Sequence, residues 1–307
     1  MKIISRAEDF NPLGRRVCLA LGVFDGVHLG HQQVIHQTIS DARQHDGYAV
    51  VVTFDRHPNT VVRPDKAPRM IYPLAKRLRV MAELGLDAAL VLPFDHALSQ
   101  VSAEEFMGRL CRAWGQVYSV SVGAGFCFGY RRLGNLNLLK NLGQTYHFIV
   151  HGLAPVSLDS KTISSTLIRE SILAGHLDRA DQLLGRPYTL GGRVVQGDQL
   201  GRRLGIPTAN LDVRDLVHPP KGVYAVQTAF RDRLYLAVLN IGDRPTIQHS
   251  DSVLRVEAHL LDFSGDLYGQ ELEVEFLARI RDEKRFASLD ALQAQIQQDI
   301  AMAKNSV

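Results

Sequence analysis

The sequence predicts two domains of different class: an α/β domain built on a parallel sheet, followed by an antiparallel β-barrel with a terminal helix. Three observations lead there. The 307 residues exceed one ordinary domain. Up to residue 186, apolar runs alternate with helix-type segments, the pattern of buried parallel strands joined by helices. From Tyr188 onward, short alternating runs separated by Gly, Pro, Asp or Asn take over, as in a closed antiparallel barrel.

In order, the first half gives the strand-type run VCLALGVF (Val17 to Phe24), a helix over His31 to Asp46, and YAVVVTF (Tyr48 to Phe54). A helix over Leu74 to Leu84, the run DAALVLPF (Asp87 to Phe94) and a helix over Ser102 to Trp114 follow. The last two runs are YSVSVGAGF (Tyr118 to Phe126) and HFIVHGL (His147 to Leu153). Ser102-Ala103-Glu104-Glu105 is a capping box that fixes one helix start. Ser164-Ser165-Thr166 opens another, running through Leu167, Ile168 and Ile172 to Gly175. The texture changes after Gly185-Arg186-Pro187, so the domains are expected at 1–186 and 187–307 without a long linker or internal repeat. Barrel strands are expected in TLGGRVVQ, GVYAVQTAF, RLYLAVLNIG, VLRVEAHLLDF and ELEVEFLARI, and an amphipathic helix over Ser288 to Lys304.

A hydrophobic fraction of 46% and a charged fraction of 22% are those of a globular chain. The formal charge of +3 is too small to argue for nucleic acid, though it does not oppose an anionic phosphate ligand. Cys18, Cys111 and Cys127 are odd in number and outside any CxxC pattern, which argues against a disulfide framework or structural zinc. No signal-type apolar region and no long apolar span occurs, so a cytoplasmic protein is expected. Its expected partners are small molecules, with neither nucleic acid nor membrane, and its expected state is a monomer or weak homo-oligomer.

The stretch GVFDGVHLGH (Gly22 to His31) occupies the first strand-to-helix turn, the common phosphate seat of a parallel sheet. Gly22 and Gly26 permit a tight turn, and a helix starting near His28 or Gly30 presents free N–H groups to an anion. His28 and His31 then lie on one side of the first turn, where imidazoles can donate to a phosphate under attack. Two histidines three apart also suit a metal, but no third ligand stands at a recognisable spacing. Neither GxGxxG nor GxxxxGK[ST] occurs. In the second half, the glycine-rich run Gly197 to Asn210 can close over phosphates, and Thr208 offers a hydroxyl to Mg²⁺. In Arg255-Val256-Glu257-Ala258-His259-Leu260, alternation puts Arg255, Glu257 and His259 on one face.

GxFDGxHxGH resembles the nucleotidyltransferase signature of the prokaryotic bifunctional riboflavin kinase/FMN adenylyltransferases, or FAD synthetases. The resemblance spans almost the whole chain: TFDRHP (Thr53 to Pro58), TISSTLIR (Thr162 to Arg169), LLGRP (Leu183 to Pro187), GVYA (Gly222 to Ala225), NIGDRPT (Asn240 to Thr246) and GDQLGRRLGIPTAN (Gly197 to Asn210). It implies a Rossmann-like nucleotidyltransferase domain ahead of a riboflavin kinase barrel. Implied for the ATP phosphates are Gly22, Phe24, Asp25, Gly26, His28, His31, Ser164, Ser165, Thr166 and Arg169 in the first domain. In the second they are Gly197, Gly201, Arg202, Gly205, Pro207, Thr208 and Asn210. His28, His31 and Arg169 would stabilise charge at the α-phosphorus, Thr208 and Asn210 would hold Mg²⁺, and Glu257 would be the kinase base. Gly125, Phe126, Phe128, Asn240, Arg281, Glu283 and Phe286 are the implied flavin contacts. Where the family often reads GxDFxFG followed by an Arg and a Gly-Asp pair, this chain has Gly125 and Asn135 at the acidic positions. The expected reactions are riboflavin to FMN in the barrel and FMN to FAD in the first domain, with ATP as co-substrate of both. A riboflavin kinase with an inactive or re-purposed adenylyltransferase domain is the alternative.

Overall fold

A computed structural model describes residues 1–197, 205–244 and 253–306. Contacts divide the chain into two units, Met1–Leu167 and Ile168–Val307. Along the first lie β1 (Lys2–Ile4), β2 (Val17–Leu21), α1 (Leu29–Gln44), β3 (Tyr48–Phe54), α2 (Asn59–Val62), α3 (Leu74–Glu83), β4 (Ala88–Leu92) and α4 (His96–Ser99). Then come α5 (Ala103–Trp114), β5 (Val117–Gly123), α6 (Leu136–Tyr146), β6 (Ile149–Leu153) and a small hairpin of β7 (Ser157–Leu158) and β8 (Lys161–Thr162). The helix α7 (Ser165–Leu173) contains the division.

Six strands form one parallel sheet in the order β1-β4-β3-β2-β5-β6. Strand alternation sends Val17, Leu19 and Leu21 to one face, against Met107, Leu110 and Trp114 of α5 and Leu139 and Leu142 of α6. Cys18 and Ala20 face the other side, with Val34 and Ile35 of α1 and Leu78 and Met81 of α3. Both faces are covered, which is why these strands read as continuous apolar runs. The expected cap at Ser102 is present, its hydroxyl accepting from the Glu105 amide at 3.1 Å. Glu105 turns its carboxylate to Arg109 and Arg112, so the cap is made from the Ser102 side. The three cysteines are free, and burial pushes the Cys111 thiol up to about 11.

The second unit continues through α8 (Leu177–Leu184), β9 (Thr189–Val195), β10 (Ala209–Asp212), β11 (Gly222–Phe230), β12 (Arg233–Arg244), β13 (Val253–Leu260), β14 (Glu271–Arg281) and α9 (Leu289–Lys304). The barrel closes in the order β10-β13-β12-β11-β14-β9, with β9 paired to β10 and every pairing antiparallel. The α8 helix docks through Asp181, which accepts from the Tyr188 amide at 2.6 Å, while the Tyr188 hydroxyl donates to the Val217 carbonyl at 2.7 Å. The terminal helix starts where expected, with Ser288 as its N-cap, and places Ala303 against Val223, Ala225 and Val238. Arg281 clamps that helix with two bonds to the buried Asp299 carboxylate, at 2.9 and 2.7 Å.

Asp299 is almost fully buried, so removing it strands a half-buried cation. Asp299→Ala is expected to cost the barrel about 3 kcal/mol, seen as a lower melting temperature; an unchanged melt would mean the clamp contributes nothing net. Thiol titration of the native protein near pH 8 should find Cys127 fast, because it is exposed, and Cys111 slow, because its thiol is held protonated.

Candidate active sites

β2 lies at the centre of the sheet, flanked by β3 and β5, where successive connections run to opposite sides. Ligands collect beyond the carboxyl ends of strands at such a switch point. The turn leaving β2 has positive φ at Phe24 (52°), Gly26 (79°) and Val27 (42°). Gly22 is bare because the Phe24 ring covers it, at 3.1 Å from where a Cβ would stand. The buried Asp25 carboxylate accepts from the Ile71 amide at 3.0 and 3.1 Å and the Tyr72 amide at 3.4 Å. It therefore braces the turn, and its orientation spares a phosphate the repulsion of a facing carboxylate.

His28 is the N-cap of α1, with ring Nδ1 accepting from the His31 amide at 3.3 Å. With Nδ1 accepting, a neutral His28 ring carries its proton on Nε2. The His28 and His31 rings stack at 3.6 Å and 19°, and the Phe24 ring meets His31 edge-on at 5.3 Å. A Cβ on Gly30 would stand 3.2 Å from the His28 ring, so this glycine leaves room for the imidazole. At the α7 start, the Ser164 hydroxyl accepts from the Leu167 amide at 3.2 Å and the Ser165 hydroxyl donates to the Asp25 carbonyl at 3.0 Å. The Ser165 proton is spent on the turn rather than offered to a ligand. Thr166 follows on α7, and Arg169 lies one turn beyond Ser165 along it, past the division between units.

Beyond the strand ends is a cavity of about 1050 Å³, walled by Gly22, Val23, Phe54, Phe94, Phe126 and Phe128 among others. That volume is at the top of the range for small-molecule sites, roughly 300–1,000 Å³. Phe126 and Phe128 stack at 5.3 Å and 16°, and the charged side chains of the wall, Arg63, Lys66, Arg131 and Arg132, are all cationic. Gly125 is outside that wall, and a Cβ there would meet nothing within 4 Å. Asn135 is the N-cap of α6, accepting from the Leu138 amide at 3.0 Å, a post that Asn and Asp fill equally well. The departure at this position therefore keeps the local geometry. Sequence reasoning gave no role to Phe54, His57 or Phe94, although TFDRHP was visible as a motif.

In the barrel, register sets the site. Glu257 of β13 stands opposite Asn210 of β10 on one side and Asn240 of β12 on the other. Val256, Ala258 and Leu260 are buried, so Glu257 shares the outer face with Arg255 and His259, as the alternation predicts. Arg255 Nη1 lies 3.2 Å from Glu257 Oε1. His259 Nδ1 donates to the Pro207 carbonyl at 2.8 Å, tying the segment that carries Thr208 to the strand that carries Glu257. Gly197 packs on Asn210, whose amide would lie 2.3 Å from a Cβ at 197. Gly205 has φ +73°. Gly201 and Arg202 lie outside the described residues. Glu283 packs its carboxylate over Gly242, next to Asn240. Arg281 is committed to Asp299 and the Asp282 carbonyl, with its guanidinium 5.7 Å from the Phe286 ring centroid.

A phosphate-type turn on a parallel sheet, and a carboxylate set between two amides on a closed barrel, are the features of an enzyme of group transfer. Comparison with known proteins agrees for both halves: residues 11–167 match the FAD synthetase family model and 184–307 the riboflavin kinase model. Proteins named bifunctional riboflavin kinase/FMN adenylyltransferase are similar over nearly the whole chain. That of Pseudomonas fluorescens is 36% identical over 99% of this chain and 97% of the relative; that of Escherichia coli K12 is 37% identical with the same coverages. A solved structure described as a macrolide-efflux protein from Streptococcus pneumoniae matches 99% of this chain and 98% of that one, with a TM-score of 0.81 at 31% identity. The chain belongs to the bifunctional riboflavin kinase/FMN adenylyltransferase family, and the reading as a lone riboflavin kinase is not favoured.

Two replacements separate the jobs of His28. His28→Asn keeps a cap acceptor but loses the imidazole donor, so FAD formation should fall by roughly 10²-fold to 10³-fold with little change in melting. His28→Ala should lose as much activity and also about 1 kcal/mol of stability. Undiminished FAD formation by His28→Asn would mean that the ring only caps the helix.

Proposed function

We propose that the two family reactions are carried by the residues gathered above, Glu257 in the barrel and the His28–His31 turn in the α/β unit. In the first reaction the riboflavin 5′-hydroxyl attacks the γ-phosphorus of ATP, its proton passes to the Glu257 carboxylate, and ADP leaves. The register row Asn210–Glu257–Asn240 carries this reading, since it sets a carboxylate between two amide side chains on one face. Arg255 stands beside this carboxylate, its Nη1 3.2 Å from Glu257 Oε1. Asn240 and Glu283, with Phe286 further along, are the proposed flavin contacts; Arg281 would act there mainly by fixing the helix that follows.

Thr208 and Asn210 supply hard oxygen donors, and that donor set fits Mg²⁺ arriving with ATP phosphates. Among the described residues no cluster of three His, Cys, Asp or Glu exists, so substrate oxygens would complete its shell. Mg²⁺, when bound, would neutralise charge building on the phosphates.

In the second reaction the FMN phosphate, already ionised, attacks the α-phosphorus of ATP and pyrophosphate leaves. No base is needed there; orientation and hydrogen-bond donation do the catalysis. His28 Nε2–H, His31 and the amides at the start of α1 are the proposed donors, with Ser164, Thr166 and Arg169 retained as phosphate contacts on the family pattern. The stacked Phe126 and Phe128 and the cationic wall suit a ring system that carries a phosphate. We place the domain boundary at residue 187, where the fold class changes. Among the described residues no helix is long and apolar enough to cross a membrane.

Chromatography of flavins after incubation with riboflavin, ATP and Mg²⁺, beside a reaction started from FMN, tests the assignment. Glu257→Gln should stop FMN formation while FAD still forms from supplied FMN; loss of both products would argue against separate sites. Chelating Mg²⁺ should stop FMN formation in the parent, and an undiminished rate would remove the proposed role of Thr208 and Asn210.

A further inference from the structure

We propose that Arg77 is a positioning residue for adenylyl transfer, its buried guanidinium holding the histidine turn against the carboxyl end of β3. Arg77 lies on the inward side of α3 with Leu78 and Met81 and is 1% exposed. Its Nη1 donates to the Val23 carbonyl at 2.8 Å, and its Nη2 donates to the Phe54 and Asp55 carbonyls at 3.1 and 3.3 Å. One planar fork thus joins two chain segments that are adjacent strands only as far as Leu21 and Val52. Beyond that point β2 has ended while β3 runs on to Phe54, and the side chain of Arg77 continues the connection that the ladder between them no longer supplies.

Both tied segments face ligand space. Val23 and Phe54 form part of the cavity wall, and Val23 immediately precedes the left-handed Phe24 that turns the chain toward His28. Arg77 is absent from that wall, so it acts through these neighbours and not on substrate. The Val23 carbonyl takes a second bond from the Thr53 hydroxyl at 3.1 Å, which fixes its direction from the β3 side as well. Burial lowers the Arg77 pKa, and Asp25 and Asp55 work against that loss. A buried cation is a costly way to fill a helix face that leucine would fill. What leucine or lysine lacks is a rigid set of donors that reaches three carbonyls at once.

The inference rests on the α/β unit being the adenylyl-transfer site, and the experiment separates the two claims. Full-length Arg77→Met and Arg77→Lys are assayed for FAD formation from FMN and ATP and for FMN formation from riboflavin, well below each variant's melting temperature. His28→Asn is run beside them. In Arg77→Met, kcat and kcat/KM for FAD formation should fall together by roughly 10²-fold, the loss that a displacement of about 1 Å imposes on aligned reactants. Arg77→Lys should recover part of that rate, and FMN formation should stay at the parental level in both. A parental kcat in Arg77→Met overturns the inference, as does a raised KM at unchanged kcat, or a loss that disappears when the assay is cooled. Should Arg77→Met fail to fold, Arg77→Lys decides by the same readings. Parental rates in the Arg77 variants with a loss in His28→Asn sink the Arg77 role alone; undiminished FAD formation in all three variants sinks the site reading and this role with it.

Discussion

The α/β site depends on keeping the turn between β2 and α1 in a shape that two of its own residues resist. Phe24 and Val27 both hold positive φ, and a side-chain-bearing residue in that region costs about 1–3 kcal/mol. The surroundings over-determine the turn. Asp25 accepts amides from residues 71 and 72, Ser165 donates to the Asp25 carbonyl, Gln32 donates to the Val27 carbonyl at 2.9 Å, and Thr53 and Arg77 share the Val23 carbonyl. Each bond comes from a different part of the unit. The stacked histidines are where those constraints converge.

The barrel places its groups by other means. Asn210, Glu257 and Asn240 come from separate strands and line up because antiparallel pairing gives each a partner at a fixed spacing. A slip of one residue in β13 would turn Glu257 inward and Ala258 out, so the hydrophobic interior guards the register of the polar face. Val256, Ala258 and Leu260, buried inside the barrel, thereby fix where the carboxylate stands. One unit relies on many bonds to a single turn, the other on one pattern repeated across strands.

The fold class and most elements were legible because periodicity reports burial. The runs expected as parallel strands became β2 to β6, and those expected in the barrel became β9 and β11 to β14. β1 and β10 were not anticipated, since three and four residues are too few to establish alternation. The helices α6 and α8 also went unread. At the sites, glycines and histidines in GVFDGVHLGH pointed to the turn, but not to the use of His28 as a helix cap or of the Asp25 carboxylate as a brace. Those roles depend on residues 71 and 72, far along the chain. Arg77 had a faint signal in LAKRLRVM, where a charged residue falls on the same stripe as Leu74, Leu78 and Met81. Sequence alone reads such a residue as a solvated cation; only its three carbonyl partners show why it is buried.

Barrel closure has a consequence for how the chain is made. Thr189 of β9 pairs with Glu275 of β14, so the first barrel strand waits for the last before that edge is covered. During synthesis the parallel sheet, complete by Leu153, can form while β9 still lacks β14 and β10 still lacks β13. Non-local closure of this kind is slow, and each open strand edge is a template for pairing with another chain. The emerging kinase unit is therefore the aggregation-exposed half of the nascent polypeptide, protected only once β14 has left the ribosome.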